Sequence, residues 1–296
     1  MNSRVRIGTR GSALALWQAR WVQTRLQSIG IKSELVPIES SGDQQLQKPL
    51  YQMGVQGIFT KELDTALLTK EVDLVVHSMK DVPTQLPEGI ALAFVPQRGP
   101  HADVFIPNRP DWEKEGSTIA TSSLRRAAQW RYAYPTHCIT DIRGNVPTRL
   151  KKLSESNAHG TIMAQAGLER LDMLPSNAIT LDWMVPAPAQ GAILVTGLAS
   201  KPELLSALHK LNDAETAICV EQERSFLRTL EGGCTAPIGA HATIKGDVLY
   251  FKGCVTHKEG KEQLLFEEEF DVAEENIGRI AAEQLLERGA KKLIDG

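Results

Sequence analysis

Short apolar segments alternate with amphipathic segments along most of the chain, which is the pattern of strands that alternate with helices. In the first part, the spacing predicts strands at residues 4–7, 33–38 and 73–76 and helices at 13–29 and 59–68. Strands joined in this way by helices are typical of parallel sheets. The pattern therefore predicts an α/β architecture for the N-terminal part of the chain.

The same alternation begins again after a segment that is rich in proline and glycine. Residues 96–100 separate apolar runs at 92–95 and 104–106, and we place a crossing between two domains there. Further strands are predicted at residues 118–120, 138–142 and 161–164. The proline-rich segment 182–191 is interpreted as the return crossing, and residues 203–211 as a helix that rejoins the first domain.

The C-terminal part has a different pattern, in which strands follow one another directly. The predicted elements are a helix at residues 213–230, strands at 240–244, 248–255 and 264–270, and a helix at 275–288. Gly246 and Asp247 supply the tight turn of a hairpin between the first two of these strands. Because 296 residues are too many for one ordinary core, we expect two or three domains.

Composition is typical of a soluble globular protein, with 42% hydrophobic and 23% charged residues. The N-terminal segment has no long apolar run, so we expect neither a secretory signal nor a membrane span. The four cysteines form no CxxC pair, which disfavours a zinc site and a dithiol redox motif. We therefore expect a cytoplasmic protein with reduced thiols, no metal and no membrane association.

Positive charge is concentrated in one segment, although the net charge of the chain is −3. Residues 117–170 contain eight Lys or Arg and three acidic residues, which gives +5, so the remainder carries −8. A basic region in an acidic chain indicates a local anionic ligand rather than general affinity for polyanions. Nucleic acid is disfavoured as a partner for the same reason.

Within this segment, arginines follow the ends of three successive predicted strands. Arg125 and Arg126 follow the first strand, Arg143 and Arg149 the second, and Arg170 the third. Because the carboxyl ends of parallel strands meet at one edge of a sheet, these residues predict a convergent anion site. Adjacent positions on a helix point about 100° apart, so Arg125 and Arg126 are expected to reach different groups.

Charged residues also follow two strands of the first part. Arg10 precedes Ser12, a good N-cap, and a helix N-terminus binds anions, although a solvated arginine beside a capped helix is equally consistent with the pattern. Lys80 and Asp81 follow the strand at 73–76. A carboxylate beside a lysine stays ionised and could stabilise a cation or exchange protons. The alternative is an aspartate that only bonds the backbone of a turn.

Cys234 lies in the segment LEGGCTAPIG, which overlaps the end of the predicted helix at 213–230 and continues beyond it. Two glycines before it and Pro237 after it predict an accessible loop, in which a thiol can act as a nucleophile. A buried, inert cysteine is the alternative. A cysteine protease is disfavoured because no His or Asn partner is placed for this thiol, and no P-loop or dinucleotide fingerprint is present.

Eight ordered motifs give the chain a clear resemblance to the porphobilinogen deaminase (hydroxymethylbilane synthase) family. They are TRGSALALWQA (9–19), GIFTKEL (57–63), HSMKDVP (77–83), TSSLRRAAQ (121–129), RGNVPTRLKKL (143–153), AGLERL (166–171), PAPAQGAI (186–193) and LEGGCTAPIGA (230–240). The resemblance covers nearly the whole chain. It implies an α/β fold of three domains, namely two lobes like those of periplasmic binding proteins and a smaller α+β C-terminal domain with a three-stranded sheet. The expected domains are residues 1–97 plus 191–212, residues 98–190, and residues 213–296.

The resemblance also implies the chemistry. A dipyrromethane cofactor is expected to be attached covalently through Cys234, and four porphobilinogen molecules are added to it with loss of ammonia before hydroxymethylbilane is released. Asp81 is the implied catalytic residue. The implied cofactor-binding residues are Lys80, Ser78, Thr121, Ser123, Arg125, Arg126, Gly144 and Ala166. The implied substrate-binding residues are Arg10, Arg143, Arg149, Arg170, Gln18 and Gln190. A cytoplasmic monomer that acts on a small molecule, without nucleic acid, membrane or metal, is expected.

Some positions depart from the family's pattern. A long loop is predicted at residues 39–57, and in it Gln56 replaces a usual lysine. His101 stands where an arginine is usual, and a glutamate usual after Gln190 is absent. A non-catalytic, two-lobed protein that binds a small anion is the alternative function. Such a protein would bind its anion through the same arginines. This alternative, however, assigns no function to Cys234 or Asp81.

Overall fold

A computed structural model describes residues 4–39, 60–231 and 236–295. The helices are α1 Ala13–Ser28, α2 Lys61–Leu68, α3 Leu124–Ala133, α4 Val146–Ser154, α5 Gln165–Arg170, α6 Pro202–Leu208, α7 Ala214–Thr229, α8 Ile277–Glu287 and α9 Ala290–Asp295. The strands are β1 Val5–Arg10, β2 Ser33–Ile38, β3 Leu74–Ser78, β4 Ile90–Phe94, β5 Asp103–Pro107, β6 Thr118–Ala120, β7 Cys138–Thr140, β8 Gly160–Ala164, β9 Ile179–Thr180, β10 Ile193–Leu198, β11 Ile238–Lys245, β12 Val248–Thr256 and β13 Gln263–Asp271. Short 3₁₀ turns follow β3 and α6 at Met79–Asp81 and His209–Leu211.

The first sheet has the strand order β2-β1-β3-β10-β4. Strands β1, β2 and β3 are parallel, and β10 is antiparallel to both β3 and β4. Apolar side chains of α1 pack on one face of the sheet around Ile7 and Val76, and those of α2 pack on the other face around Val75. The polar residues that follow β1 and β3 therefore lie together at the carboxyl edge of a sheet whose faces are covered.

The second sheet repeats this arrangement with the order β7-β6-β8-β5-β9. Strands β6, β7 and β8 are parallel, and β5 is antiparallel to its two neighbours. In each sheet, the antiparallel strand is the first one after a crossing between the lobes. Strand β5 follows the crossing at residues 96–100, and β10 follows the return crossing at residues 182–191. The sequence prediction missed β10, because all six of its residues are buried and it shows no alternation to indicate a strand.

The third sheet is antiparallel, with the order β11-β12-β13. Residues of α7 and α8, such as Phe226 and Leu285, pack with its strands in one apolar cluster. The predicted hairpin is present, and Gly246 in its turn has a φ of +62°. The predicted fold class is confirmed, with two α/β lobes that each contain a five-stranded sheet and a smaller α+β domain with a three-stranded sheet, whereas the predicted domain boundaries stay a prediction.

Candidate functional site

A small cavity lies at the carboxyl edge of the first sheet, beside the start of α1. Its volume is about 80 Å³. Ser12 begins α1 as predicted, since its side chain accepts a hydrogen bond from the Ala15 N–H. The side chains of interest that line the cavity are those of Arg10, Ser12, Gln18, His77, Ser78 and Asp81. The structure thus brings together four of the predicted site residues from two separate stretches of sequence: Arg10, Gln18, Ser78 and Asp81.

Gln18 and Ser78 are directly linked within this group. The Gln18 Nε2 donates a hydrogen bond of 2.9 Å to the Ser78 hydroxyl, and the Gln18 side chain is buried on α1. This contact ties the first helix to the end of β3, from which the chain continues into the 3₁₀ turn that carries Lys80 and Asp81. Gln18 therefore helps to orient the end of β3 as well as lining the cavity.

Asp103, at the start of β5, holds both of the adjacent arginines. Its Oδ2 lies 2.7 Å from Arg125 Nη1 and its Oδ1 lies 2.8 Å from Arg126 Nη2, with all three side chains buried. The expectation that the two arginines reach different groups is wrong for their ionic partner, because one carboxylate offers an oxygen to each of them. Burial alone would raise the pKa of Asp103, but the Arg125 and Arg126 guanidinium groups lower it well below its usual range.

The two arginines also donate to the backbone. Arg125 Nη1 bonds the Val185 carbonyl at 2.8 Å, and Arg126 Nη1 bonds the Ile162 carbonyl at 3.0 Å. Ser123 begins α3 and accepts from the Arg126 N–H, while the Thr121 hydroxyl accepts from the Ser123 N–H. These four side chains, which were predicted to bind the cofactor, therefore also make hydrogen bonds within the protein.

Gln190 connects Lys80 to this buried ion group. Lys80 Nζ donates to Gln190 Oε1 at 3.2 Å, and Gln190 Nε2 donates to Asp103 Oδ1 at 3.0 Å and to the His101 carbonyl at 2.8 Å. Gln190 is fully buried. Its bonds to Lys80 of the first lobe and Asp103 of the second form a chain of hydrogen bonds that joins the two lobes. Burial and the nearby Arg126 lower the pKa of Lys80 to about 8, although Asp81 and Asp103 oppose them.

Arg149 approaches the same space from the second lobe. It lies on α4, and its Nε donates to the Gly144 carbonyl at 2.7 Å. Burial and Arg126 lower its pKa to about 10, while Asp81 acts in the opposite direction and Arg143 adds to the decrease. Arg149 is therefore close enough to Asp81, Arg126 and Arg143 to sense their charges.

The remaining predicted site residues occupy more structural positions. Arg143 precedes α4, and its carbonyl accepts from Lys152 Nζ at 3.0 Å. Ala166 is buried in α5. Arg170 lies where the lobes meet, since its Nη2 bonds the Gly191 carbonyl at 2.6 Å and its guanidinium lies 5.6 Å from the centre of the Trp17 ring. Burial lowers the pKa of Arg170 to about 10.

Cys234 and Gln56 lie outside the described residues. Helix α7 ends at Thr229 and β11 begins at Ile238, so both elements that flank the LEGGC sequence are described. Two other thiols are buried: burial raises the pKa of Cys219 to about 12 and that of Cys254 to about 11. A thiol with such a pKa is a poor nucleophile at neutral pH.

Two family models match the chain. Residues 5–206 match the porphobilinogen deaminase dipyrromethane cofactor binding domain, and residues 217–287 match the porphobilinogen deaminase C-terminal domain. The chain belongs to the porphobilinogen deaminase family. Its activity is accordingly that of a transferase of tetrapyrrole synthesis, and its cofactor is dipyrromethane.

Curated relatives agree with this assignment. The chain is 41% identical to the porphobilinogen deaminase of Trichlorobacter lovleyi, over 99% of this chain and 96% of that one. It is also 41% identical to that of Syntrophotalea carbinolica, with the same coverage. Among solved structures, the periplasmic VFT2 domain of BvgS from Bordetella pertussis is 13% identical, with a TM-score of 0.42, over 70% of this chain and 86% of that one. A likeness at that level adds nothing to the fold described above.

The residues present fit the cofactor of the deaminase family. Each pyrrole unit carries an acetate and a propionate, and carboxylates are best bound by lysine and bidentate arginine. Lys80 and Arg149 have lowered pKa values, partly because Arg126 is nearby. Carboxylates bound in this space would relieve that repulsion, so the donor set suits an acidic oligopyrrole.

Several buried charged residues around the candidate site were not singled out from the sequence. Asp103, Glu223 and Arg224 are buried charged residues whose partners lie far away along the chain. Asp103 precedes a predicted apolar strand, and Glu223 and Arg224 interrupt the apolar face of a predicted helix. A buried charge in such a pattern needs a partner, and that requirement was the only signal available.

None of the described helices has the length and apolarity needed to cross a lipid bilayer. Among residues 4–39, 60–231 and 236–295, no three His, Cys, Asp or Glu side chains come together in an arrangement that could hold a metal ion.

Proposed function

We propose that the chain is a hydroxymethylbilane synthase that joins four porphobilinogen molecules on a dipyrromethane cofactor attached to Cys234. One observation carries the site assignment: Lys80 and Asp81 of the first lobe lie close to Arg126 and Arg149 of the second, since, besides burial, Arg126 lowers the pKa values of both Lys80 and Arg149 and Asp81 opposes that decrease in both. When bound, the cofactor supplies a free pyrrole α-position as the nucleophile. The cationic groups around it suit the carboxylates of a growing chain.

Asp81 is the residue that we assign to the chemistry. As ammonia leaves porphobilinogen, the C–N electron pair goes to nitrogen and positive charge develops on the pyrrole. A carboxylate in this position would accept the pyrrole N–H and stabilise that charge. Asp81 is partly exposed and lines the cavity, so it can reach a bound substrate.

The surrounding cations are assigned to binding. Lys80, Arg10, Arg143 and Arg149 would hold side-chain carboxylates, while Gln190 and Asp103 keep Lys80, Arg125 and Arg126 in place. Charge-assisted hydrogen bonds of this kind orient an acidic ligand as well as bind it.

Intact mass tests the attachment. The purified wild type is expected to carry the mass of a dipyrromethane, and Cys234→Ser is expected to lack it. Cys138→Ser is the matched control, because Cys138 is an exposed cysteine on β7, and it should retain the added mass. An unmodified wild type, or the same added mass in Cys234→Ser, would contradict the assignment.

Turnover tests Asp81. Asp81→Ala is expected to fold and to carry the cofactor, yet to be nearly inactive in porphobilinogen consumption. Asp141→Ala, an exposed aspartate after β7, should keep normal activity. Normal turnover by Asp81→Ala would remove this residue from the mechanism.

We also propose that the protein works as a cytoplasmic monomer without nucleic acid. The net charge of −3 and the localised positive region support the part of this proposal that concerns nucleic acid. Light scattering on the eluting protein measures the mass directly, and a dimer peak would contradict the monomer.

A further inference from the structure

Helix α7 reaches from the third domain to the turn that carries Lys80 and Asp81. Arg224 makes the contact, and its side chain is buried. Its Nη1 donates to the Val82 carbonyl at 3.0 Å and to the Met79 carbonyl at 3.4 Å, and its Nη2 donates to the Pro83 carbonyl at 2.6 Å. One guanidinium therefore bonds the backbone on both sides of Lys80 and Asp81.

Apolar contacts support the same junction. Met79 and Val82 pack in one buried cluster with Val220 of α7, and Ala217 packs against that cluster. The backbone of the turn is thus held to α7 at the two residues that flank Lys80 and Asp81. Their side chains remain partly exposed, and that of Asp81 lines the cavity.

The neighbouring Glu223 fixes the position of α7 itself. Its carboxylate accepts two bonds from Arg98, at 2.6 and 3.1 Å, and one each from the N–H groups of Ala189 and Ala242, at 2.6 and 2.8 Å. These partners lie on the two crossings between the lobes and on β11. Because α7 cannot slide without breaking these buried bonds, Arg224 acts from a rigid support.

We propose that Arg224 is a positioning residue of the deaminase reaction, which holds the Met79–Pro83 backbone so that Asp81 meets the reacting pyrrole in the productive geometry. This proposal rests on the proposed function of Asp81. The planar fork of a guanidinium can reach three carbonyls at once, whereas the compact ammonium group of lysine cannot reproduce that geometry. The same helix ends shortly before Cys234 in the sequence, so Arg224 links the turn of Asp81 to the segment that leads to the cofactor.

Steady-state kinetics of the holoenzyme test the proposal. In Arg224→Gln, kcat is expected to fall at least tenfold while KM for porphobilinogen stays within about twofold, since a misplacement of about 1 Å can cost about 10²-fold in rate. Cofactor mass should be retained. Arg224→Lys should recover part of kcat, because it restores a charged donor. Arg228→Gln, an exposed arginine on the same helix paired with Glu221, should behave as wild type.

Hydrogen exchange supplies an independent measurement. The amides of residues 79–82 are expected to exchange at least tenfold faster in Arg224→Gln than in wild type, and to be unchanged in Arg228→Gln. Leu285→Ala, a cavity in the core of the third domain, controls for general instability. If it lowers kcat as much as Arg224→Gln does, the specific role of Arg224 is overturned.

The outcomes separate the two proposals. Normal kcat and unchanged exchange in Arg224→Gln, with an inactive Asp81→Ala, would overturn the role of Arg224 and leave the proposed function intact. An active Asp81→Ala would overturn the proposed role of Asp81 in the reaction, and the role of Arg224 with it. Loss of kcat with faster exchange at residues 79–82, absent from both control variants, supports the proposal.

Discussion

Lys80 is a cation in a space that already contains buried arginines. Its pKa of about 8 results from burial and from Arg126 and Arg125, against the opposing charges of Asp81 and Asp103. Below pH 8 the ammonium form predominates, and above it the neutral amine does. A carboxylate of the ligand would raise this pKa on binding, so binding and protonation of Lys80 favour each other.

A pH dependence follows from this linkage. We expect KM for porphobilinogen to rise as the pH increases through about 8, because deprotonated Lys80 no longer attracts a carboxylate. In Lys80→Arg the guanidinium stays charged, so the alkaline rise in KM should move to higher pH. The measurement is the pH profile of kcat/KM for wild type and for Lys80→Arg. Titration of the substrate affects both profiles equally, so it cancels when they are compared. An identical alkaline limb in Lys80→Arg would exclude Lys80 as its origin.

Among the elements, the turn between β7 and α4 has a strict backbone requirement near the site. Gly144 has a φ of +123°, and a Cβ there would lie 2.6 Å from Thr148 Cγ2. Its carbonyl also accepts the bond from Arg149 Nε. The backbone conformation of one residue thus determines where α4 begins and where the Arg149 guanidinium lies.

Gly144→Ala is therefore expected to reduce activity as well as stability. The strained backbone alone costs about 1–3 kcal/mol, and the shift of Thr148 displaces Arg149, so KM for porphobilinogen should rise. Gly246→Ala is the matched control: Gly246 also has a positive φ, but a Cβ there meets nothing within 4 Å. Urea unfolding and kinetics should show a stability loss in both variants and a rise in KM only in Gly144→Ala. Equal KM values in the two would contradict this view of the turn.

In the whole molecule, Glu223 joins both crossings between the lobes to the third sheet. Arg98 and Ala189 belong to the crossings between the lobes, and Ala242 belongs to β11. Burial would raise the pKa of Glu223, but Arg98 and His241 lower it to about 2, so the carboxylate is ionised throughout the neutral range. The stability from this charge is therefore present at neutral pH and is lost as the pH falls from the ordinary value of 4.5 through about 2.

Removing that charge should uncouple the domains. Glu223→Gln leaves Arg98 without its carboxylate, at a cost of roughly 3 kcal/mol or more for a broken buried ion pair. We expect scanning calorimetry of Glu223→Gln to show a lower Tm than in wild type. We also expect its unfolding to separate into more transitions than the wild type shows. Glu221→Gln, exposed on the same helix, should leave the transition unchanged. A single unaltered transition in Glu223→Gln would show that the junction does not depend on this carboxylate.

The accuracy of the sequence predictions varied with the kind of residue. Helix α1, with its Ser12 cap, and strand β6 were predicted closely, because caps and periodicity are local signals. The sequence prediction missed three elements. Strand β9 and helix α9 are too short to show a period, and β10 is buried along its whole length, so it shows no alternation. The convergence of Arg125 and Arg126 on Asp103 was also missed, because pairing across sequence distance leaves no local trace.

By itself, the sequence determined the α/β class, the basic strand ends, the resemblance to the deaminase family and the candidates Cys234 and Asp81. These properties depend on residue type, spacing and order along the chain. Only the tertiary structure decided that Gln190 links Lys80 to Asp103, and that Glu223 and Arg224 hold the crossings and the turn of Asp81. The physical reason is that a buried charge must find a partner in space, and the fold alone determines which distant groups are close enough to serve.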